Sequence, residues 1–196
     1  MMAWLRIARL KAVLAFLAVA GLMAGCATPA RIAGQPGGAP TFDRTGRFAV
    51  NVVYRDGKQD AVQGGFAWQD SGQRLVLDLA NPLGSTLARV EVSSGMAVMT
   101  RSNGEIERAS TADGLVDHVL GSPIPVAGLR DWLRGRTGRD PVQGLERDAS
   151  GQIAAFTQSG WRVALSRYDV LGPRLLQLSR VDFDRDIRVR LVIDDQ

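Results

Sequence analysis

Apolar residues alternate with polar or small residues along most of the chain from Gly46 onward, which is the pattern of β-strands with one buried face. The alternation is clearest near the two ends of this region, in Phe48, Val50 and Val52 and again in Ile187, Val189, Leu191 and Ile193. Turn signals such as Asp56-Gly57 and Asn103-Gly104 separate successive stretches. The pattern predicts about eleven strands, joined mostly by short turns into an antiparallel meander.

The middle of the chain changes to helical spacing. One apolar face consists of Leu115, Val116, Val119 and Leu120, followed by Gly121, and a second consists of Leu129, Trp132 and Leu133, followed by Gly135. Short helices with one apolar face each have to pack on the sheet, and an antiparallel sheet of about eleven strands tends to curl. The predicted fold class is therefore mainly β: a half-open antiparallel β-barrel with a short α-helical lid over a hydrophobic cavity.

Residues 1–25 have the parts of a bacterial signal peptide. Arg6, Arg9 and Lys11 give it a positive start, and the uncharged run 12–24 that follows is too short to cross a bilayer as a stable helix. The small residues before Cys26 resemble a lipobox, after which the cysteine becomes the lipidated first residue of the mature protein. The alternative is a buried cysteine at the end of an N-terminal helix.

Residues 26–43 are predicted to be the lipidated cysteine and a flexible tether, and residues 44–196 the folded domain. The tether is rich in Pro, Gly and Ala and has no apolar face. Ala27 is compatible with sorting to the outer membrane, which is disfavoured when Asp follows the lipidated cysteine. We therefore expect a protein that is anchored in the outer membrane through Cys26 and faces the periplasm, since two or more acyl chains hold a protein stably.

Charge and residue counts exclude several classes of function. The chain has 24 basic and 20 acidic residues, but three of the basic ones lie in the predicted signal peptide, which leaves 21 against 20. This balance gives no reason to expect nucleic-acid binding. One cysteine and one histidine, His118, form neither a disulfide nor a metal cluster. Without a nucleophile elbow, P-loop or dinucleotide motif, the sequence predicts a non-enzyme with no cofactor and no metal.

Several short motifs follow one another along the domain between residues 45 and 193. They are Gly46-Arg47-Phe48-Ala49-Val50, Gly65-Phe66-Ala67-Trp68-Gln69, Asn81-Pro82-Leu83-Gly84-Ser85-Thr86, Pro123-Ile124-Pro125, Leu129-Arg130-Asp131-Trp132-Leu133-Arg134-Gly135, Gly160-Trp161-Arg162-Val163 and Tyr168. In this order, behind a lipobox, they resemble the LolB family of outer-membrane lipoprotein receptors. The resemblance implies a half-open barrel whose helices cover a hydrophobic cavity. It also implies a receptor that takes lipoproteins from a periplasmic carrier, LolA, and inserts them into the outer membrane.

The expected partners are accordingly a LolA-like carrier, the acyl chains of lipoproteins and the lipid of the outer membrane, and we expect a monomer. One acyl chain of roughly 15 methylenes costs on the order of 12 kcal/mol to expose to water, so transfer needs an apolar shelter. The candidate cavity-lining residues are Phe48, Val50, Phe66, Trp68, Leu77, Leu79, Leu129, Trp132, Leu133 and Trp161. The alternative is that these side chains fill a closed core.

Leu83 is predicted to stand at the tip of a hairpin. Pro82 suits the second position of a turn and Gly84 suits its end. An exposed leucine at this motif is the membrane insertion loop in the family that the sequence resembles, which assigns that role to Pro82, Leu83 and Gly84. The alternative is that Leu83 folds back over the barrel rim.

The motifs contain arginines, among them Arg47, Arg130 and Arg134. Arg130 and Arg134 are expected to form a solvated helix face, with a place at the cavity mouth as the alternative. Arg47 is a candidate for a hydrogen bond that fastens the lid.

Two other functions remain open. A passive structural or assembly lipoprotein of the outer membrane would have the same signal and tether but a filled barrel. A soluble periplasmic carrier would have a similar fold, but Cys26 argues against it, because a carrier that diffuses should not be tethered by lipid.

Overall fold

The computed structural model describes residues 41–120 and 124–195, so the predicted signal peptide, Cys26, most of the predicted tether and Gly121 lie outside the described residues. Its strands are β1 (Phe42–Tyr54), β2 (Gln59–Asp70), β3 (Arg74–Ala80), β4 (Thr86–Ser93), β5 (Met96–Arg101), β6 (Ile106–Ala109), β7 (Val142–Arg147), β8 (Ile153–Gln158), β9 (Trp161–Tyr168), β10 (Pro173–Val181) and β11 (Arg185–Ile193). Its helices are α1 (Ala112–Leu120) and α2 (Val126–Trp132). β1 begins at Phe42, slightly before the predicted start of the domain at residue 44.

The strands form one antiparallel sheet in the order β6-β5-β4-β3-β2-β1-β11-β10-β9-β8-β7. Neighbouring strands are consecutive in the chain except for β1 and β11, which pair from Gly46 opposite Ile193 to Tyr54 opposite Arg185. Within the described ranges β6 and β7 are the unpaired edges, and the helical segment lies between them in the chain. The predicted open, mainly β fold with eleven strands and two short helices is confirmed.

Strand alternation separates the two faces of the sheet. Even-numbered residues from Arg44 to Val52 in β1 and from Gly64 to Asp70 in β2 are buried or partly buried, whereas Asn51 and most odd-numbered residues of β1 are exposed. In β11 the buried residues are Ile187, Val189, Leu191 and Ile193. Leu115 and Val116 of α1 and Val126, Leu129 and Trp132 of α2 belong to the same core cluster as these strand residues, so the helices cover the buried face of the sheet.

Two strand glycines allow neighbouring strands to approach closely. A Cβ on Gly46 would overlap the carbonyl oxygen of Val192 in β11, and a Cβ on Gly64 would overlap the carbonyl oxygen of Ala80 in β3. Glycine inside a strand often marks a tight bend at a barrel corner. Both glycines lie in the central strands β1 and β2, where they let the neighbouring backbones come close.

Candidate functional site

A cavity of about 460 Å³ lies between the buried face of the sheet and the helices. Eight of the ten predicted lining residues form part of its wall: Phe48, Val50, Phe66, Trp68, Leu77, Leu79, Leu129 and Leu133. Further apolar side chains complete it: Val62, Leu87, Ala88, Val90, Met99, Val116, Ile124, Val126, Val189 and Leu191. The interior on this side is therefore hollow and apolar.

Trp132 and Trp161 are the two predicted lining residues that lie outside the cavity wall, and both are 1% exposed. The Trp132 ring meets Phe156 edge-on, with ring centroids 6.0 Å apart. Its Nε1 donates a hydrogen bond of 2.9 Å to Oε1 of buried Gln158. These two tryptophans fill the core beside the cavity, which corrects that part of the prediction: their helix or strand phase turns them inward, but the space they face is occupied.

The cavity occupies one half of the sheet. Its strand residues come from β1–β5 and β11, and none of its wall residues belongs to β7–β10. We call β1–β6 the hollow half and β7–β10 the filled half. α2 covers both halves, because Val126 and Leu129 cover the cavity while Trp132 packs against Phe156 of β8.

The cavity reaches the surface where β2 and β4 begin. Val62 is 44% exposed and Leu87 is 41% exposed, although both line the wall. The end of β5 and the turn to β6 add polar wall residues on this side, including Arg101 and Glu105. The opening therefore has an apolar margin at Val62 and Leu87 and a charged margin at Arg101 and Glu105.

The hairpin that carries Leu83 stands at this opening, since β3 leaves the cavity wall at Leu79 and β4 returns to it at Leu87. Oδ1 of Asn81 accepts hydrogen bonds from the backbone N–H of Leu83 at 2.9 Å and of Ser85 at 3.0 Å. Gly84 adopts a φ of +88°, which favours glycine. The turn holds Leu83 92% exposed, so the side chain points to solvent and does not fold back over the rim.

Arg130 and Arg134 fasten the lid to the sheet. Arg130 donates to both carboxylate oxygens of Asp70, at 2.6 and 3.1 Å, and Arg134 donates to one of them at 3.0 Å. Asp70 ends β2 and is 3% exposed. The expectation that both arginines form a solvated helix face is therefore wrong, because their charges are used to pair a buried carboxylate.

The charge of Asp70 is stabilised despite its position. Burial acts to raise the pKa of this carboxyl, but hydrogen bonds from Arg130, from the Gly72 N–H and from Arg134 outweigh it and lower the pKa below its ordinary value. Asp70 therefore stays ionised at neutral pH, and the ion pairs between the sheet and the lid stay intact.

A second ion pair, between a buried arginine and a partly exposed aspartate, lies at the same end of the sheet. Arg44 of β1 is fully buried and donates to both oxygens of Asp169, at 2.7 and 2.8 Å. These hydrogen bonds hold the pKa of Asp169 well below its ordinary value. The Phe42 ring lies against both Arg44 and Arg134, with the guanidinium carbon of Arg134 4.0 Å from the ring centroid. The pair thus connects β1, the turn after β9 and the lid.

Sequence reasoning missed this pair, although a signal was present. Arg44 has an even residue number, as Phe48 and Val50 do, so it faces the same side of β1. Asp70 likewise faces the same side of β2 as Phe66 and Trp68. A charged residue on the apolar face of a strand is expected to have a buried partner. Arg47, proposed as the lid contact, has the opposite parity and is exposed. In residues 41–120 and 124–195 it has no hydrogen bond or ion pair to the lid, so that prediction is corrected.

The two helices are also joined to each other. A carboxylate oxygen of Asp113 in α1 accepts a hydrogen bond of 2.8 Å from the backbone N–H of Ala127 in α2. Burial raises the pKa of Asp113 above its ordinary value. The two lid helices are therefore joined to each other, and α2 is held to the sheet by the ion pairs of Asp70 and by the hydrogen bond from Trp132 to Gln158.

The part of the chain that the structure describes contains no group of three or more His, Cys, Asp or Glu side chains that would hold a metal ion. It also contains no helix long and apolar enough to span a membrane. One polar atom in the cavity wall is unusual: the indole Nε1 of Trp68 is buried and has no hydrogen-bond partner among the described residues.

Comparisons with known proteins point to one family. The sequence model of the family described as outer membrane lipoprotein LolB matches residues 40–195. The chain is 52% identical over 174 residues to the outer-membrane lipoprotein LolB of Bordetella petrii, covering 88% of this chain and 86% of the relative. It is 56% identical over 175 residues to that of Bordetella pertussis, with the same coverage.

A more distant relative is the outer-membrane lipoprotein LolB of Cupriavidus pinatubonensis, 36% identical over 186 residues, with 89% of both chains covered. Among solved structures, a LolA superfamily protein from Nitrosomonas europaea aligns with a TM-score of 0.42 and 9% identity. The alignment covers 79% of this chain and 87% of that chain.

Proposed function

The chain belongs to the outer-membrane lipoprotein LolB family, as its motifs indicated, and from this premise we propose that it accepts lipoproteins from the periplasmic carrier LolA and inserts them into the outer membrane. The observation that carries the proposal is the apolar cavity of about 460 Å³ under the lid, open beside the Leu83 hairpin. An open cavity is not expected of the alternative, a passive lipoprotein with a filled barrel.

The physical task is to shelter acyl chains between two membranes. Each buried methylene contributes about 0.8 kcal/mol, so a free chain does not cross water unaided. The cavity lies within the range of about 300–1,000 Å³ typical of small-molecule sites. Transfer needs no covalent step and no nucleotide if each acceptor binds the chain better than its donor, since about 1.4 kcal/mol gives a tenfold preference. This is the basis for proposing a receptor without enzymatic activity.

The lid supplies the means to open. α2 forms part of the cavity wall through Val126 and Leu129 and is held to the sheet by the ion pairs of Asp70. These ion pairs can break reversibly, and full separation of α2 from the sheet would also part Trp132 from Phe156 and Gln158 in the filled half. Incoming acyl chains would then replace the lid contacts with their own apolar contacts.

Delivery is proposed to occur at the Leu83 hairpin, with the protein held by acyl chains on Cys26. Residues 27–41 between the anchor and β1 reach at most about 50 Å when extended. The hairpin stands beside the cavity opening and presents a leucine that is 92% exposed. A leucine that enters the bilayer there would bring the opening to the lipid surface. Mass spectrometry of the mature N-terminus tests the anchor, because an unmodified cysteine would instead favour a soluble carrier.

The experiment that tests the function measures transfer of a labelled lipoprotein from purified carrier to this protein, and then to vesicles, without ATP. Wild-type protein is expected to take up cargo and release it to the vesicles. Leu79→Glu, which places a charge in the cavity wall, is expected to block uptake. The matched control is Val170→Glu, since Val170 is fully exposed in the turn between β9 and β10. Equal uptake by both variants would contradict the proposal.

A further inference from the structure

The outer face of the sheet, which is the face opposite the cavity, carries a groove of about 370 Å³ in its filled half and the adjoining β11. Its position follows from the strand register. Arg188 of β11 lies opposite Ser179 of β10, and Ser179 lies opposite Arg162 of β9. In the neighbouring row Arg190 lies opposite Gln177, which lies opposite Ala164.

Long side chains flank short ones in this groove. Arg188 and Arg190 stand on one side and Arg162 on the other, two strands and therefore roughly 10 Å away along the sheet. Ser179 lies between Arg188 and Arg162, and Ala164 lies on the same strand as Arg162, so two short side chains keep this part of the floor low. All three arginines are exposed. The groove thus presents three guanidinium groups around one space, together with the hydroxyl of Ser179 and the amide of Gln177.

These arginines differ from others on the sheet in having no acidic partner. Arg74 pairs with Glu91 and Arg89 pairs with Asp78, both at 2.6 Å. In the described part of the chain, the side chains of Arg162, Arg188 and Arg190 make no ion pair and no hydrogen bond. The neighbouring outward residue on β11, Asp186, does not pair with Arg188 either, and no carboxylate lines the groove.

Like charges placed side by side on a sheet destabilise it, and this cluster is not relieved by a carboxylate of the protein. A bound anion would relieve the repulsion. Guanidinium forks with hydroxyl and amide donors nearby suit a phosphate group, which accepts several hydrogen bonds at once. The composition of the groove therefore indicates a ligand that carries phosphate.

We propose that the groove formed by Arg162, Arg188 and Arg190 binds the phosphate headgroups of anionic phospholipid. The choice of lipid rests on the proposed function, because a tether of residues 26–41 would keep the start of β1 within about 50 Å of the bilayer, so the groove stays close to headgroups. Basic side chains near such a surface are attracted to anionic lipid. The groove is then a second membrane contact, separate from Leu83 and from the cavity.

The test uses the mature chain, residues 26–196, with Cys26→Ser, so that no acyl anchor contributes. Sedimentation with vesicles of phosphatidylethanolamine and phosphatidylglycerol is compared with sedimentation with phosphatidylcholine vesicles. The groove variant is Arg162→Gln/Arg188→Gln/Arg190→Gln. The matched control is Arg108→Gln/Arg139→Gln/Arg167→Gln, which removes the same charge from exposed arginines that have no ion pair in the described residues.

The groove variant is expected to lose at least about tenfold in affinity for the anionic vesicles, and the control variant is expected to stay near the parent protein. Equal losses in both variants would reduce the effect to net charge and overturn the proposal. Failure of the parent protein to bind anionic vesicles would overturn it too. A third outcome would also overturn it: the groove variant loses affinity for a polyglutamate peptide but binds anionic vesicles as well as the parent protein does. That result would assign the groove to an acidic protein segment. Neither cargo nor carrier is present, so the result is independent of lipoprotein transfer.

Discussion

The hollow half and the filled half of the sheet have similar strands but different interiors. Both alternate apolar and polar residues, and α2 lies across both. In the filled half Trp132 and Phe156 pack ring against ring, and Gln158 pairs the indole N–H. In the hollow half the same helix presents Val126 and Leu129 to an empty space of about 460 Å³. Alternation therefore determines which face is buried, whereas the volumes of the converging side chains determine whether the space beneath is filled.

The largest effect on stability is expected where the two halves meet, at Asp169. Asp169→Asn leaves the fully buried guanidinium of Arg44 without its carboxylate. We expect the free energy of unfolding to fall by about 3–5 kcal/mol, because an uncompensated buried charge is costly. Urea denaturation at neutral pH measures it. A loss below about 1 kcal/mol would show that water solvates Arg44 and that the halves are not joined by this pair.

The same pair predicts a pH dependence. The pKa of Asp169 is lowered in the folded protein, so its stabilising contribution is present above the unfolded value of about 3.9 and is lost as the pH falls toward the folded value. The difference in unfolding free energy between wild type and Asp169→Asn should be constant from neutral pH down to about pH 4 and shrink below it. A constant difference throughout acidification would contradict this assignment.

A matched pair of leucines compares the interiors directly. Leu176 is fully buried in the filled half, and Leu79 is partly buried in the cavity wall. Leu176→Ala should cost about 3 kcal/mol, because it creates a void in close packing, and Leu79→Ala about 1 kcal/mol, because its side chain already borders empty space. Urea denaturation of both variants gives the ratio. Equal costs would mean that the hollow half is packed as densely as the filled half.

Releasing the lid should have a smaller effect on stability. Asp70→Asn removes the charge that pairs with Arg130 and Arg134, at an expected cost of about 1–2 kcal/mol. An apolar fluorescent probe should enter the cavity faster, as stopped-flow mixing would show. Asp131→Asn is the control, since Asp131 pairs with the exposed Arg136 on the same segment. Unchanged probe entry in Asp70→Asn would mean that the lid does not control access.

The smallest stability effect is expected at Leu83. Leu83→Glu should change the free energy of unfolding by less than about 0.5 kcal/mol, because the side chain is 92% exposed. Insertion of lipoprotein into vesicles should nevertheless fall sharply, since a charge is costly to bring into the bilayer. Val170→Glu, at an equally exposed turn tip, should insert normally. Full insertion by Leu83→Glu would remove the hairpin from the delivery step.

The sequence predicted the elements better than their contacts. Alternation and helical spacing identified the eleven strands and the two helices, because these periods are local. The pairs Arg44–Asp169 and Arg130–Asp70 join residues 125 and 60 positions apart, and local patterns do not report such partners. The alternation along the strands did indicate that Arg44 and Asp70 face the interior. A search for charges on apolar faces would have found both residues, though not their partners.

The cavity, too, was predicted from local patterns only in part. Eight of ten candidates line it, because inward parity and the curl of the sheet together bring them to one space. Trp132 and Trp161 satisfied the same parity and spacing rules but fill the core. Trp132 is recognised as a core residue only from its contacts with Phe156 and Gln158, which are distant in the sequence. The groove on the outer face was missed because its arginines come together across three strands.

The most direct test of the central claim locates the acyl chain of bound cargo. A lipoprotein with a photoactivatable fatty acid is transferred to this protein and irradiated, and the crosslinked peptides are identified by mass spectrometry. Crosslinks are expected in the strands of the hollow half and in α2, at residues such as Phe66, Leu79 and Leu129. Crosslinks concentrated in β8–β10, around Phe156 and Trp161, would contradict the central claim.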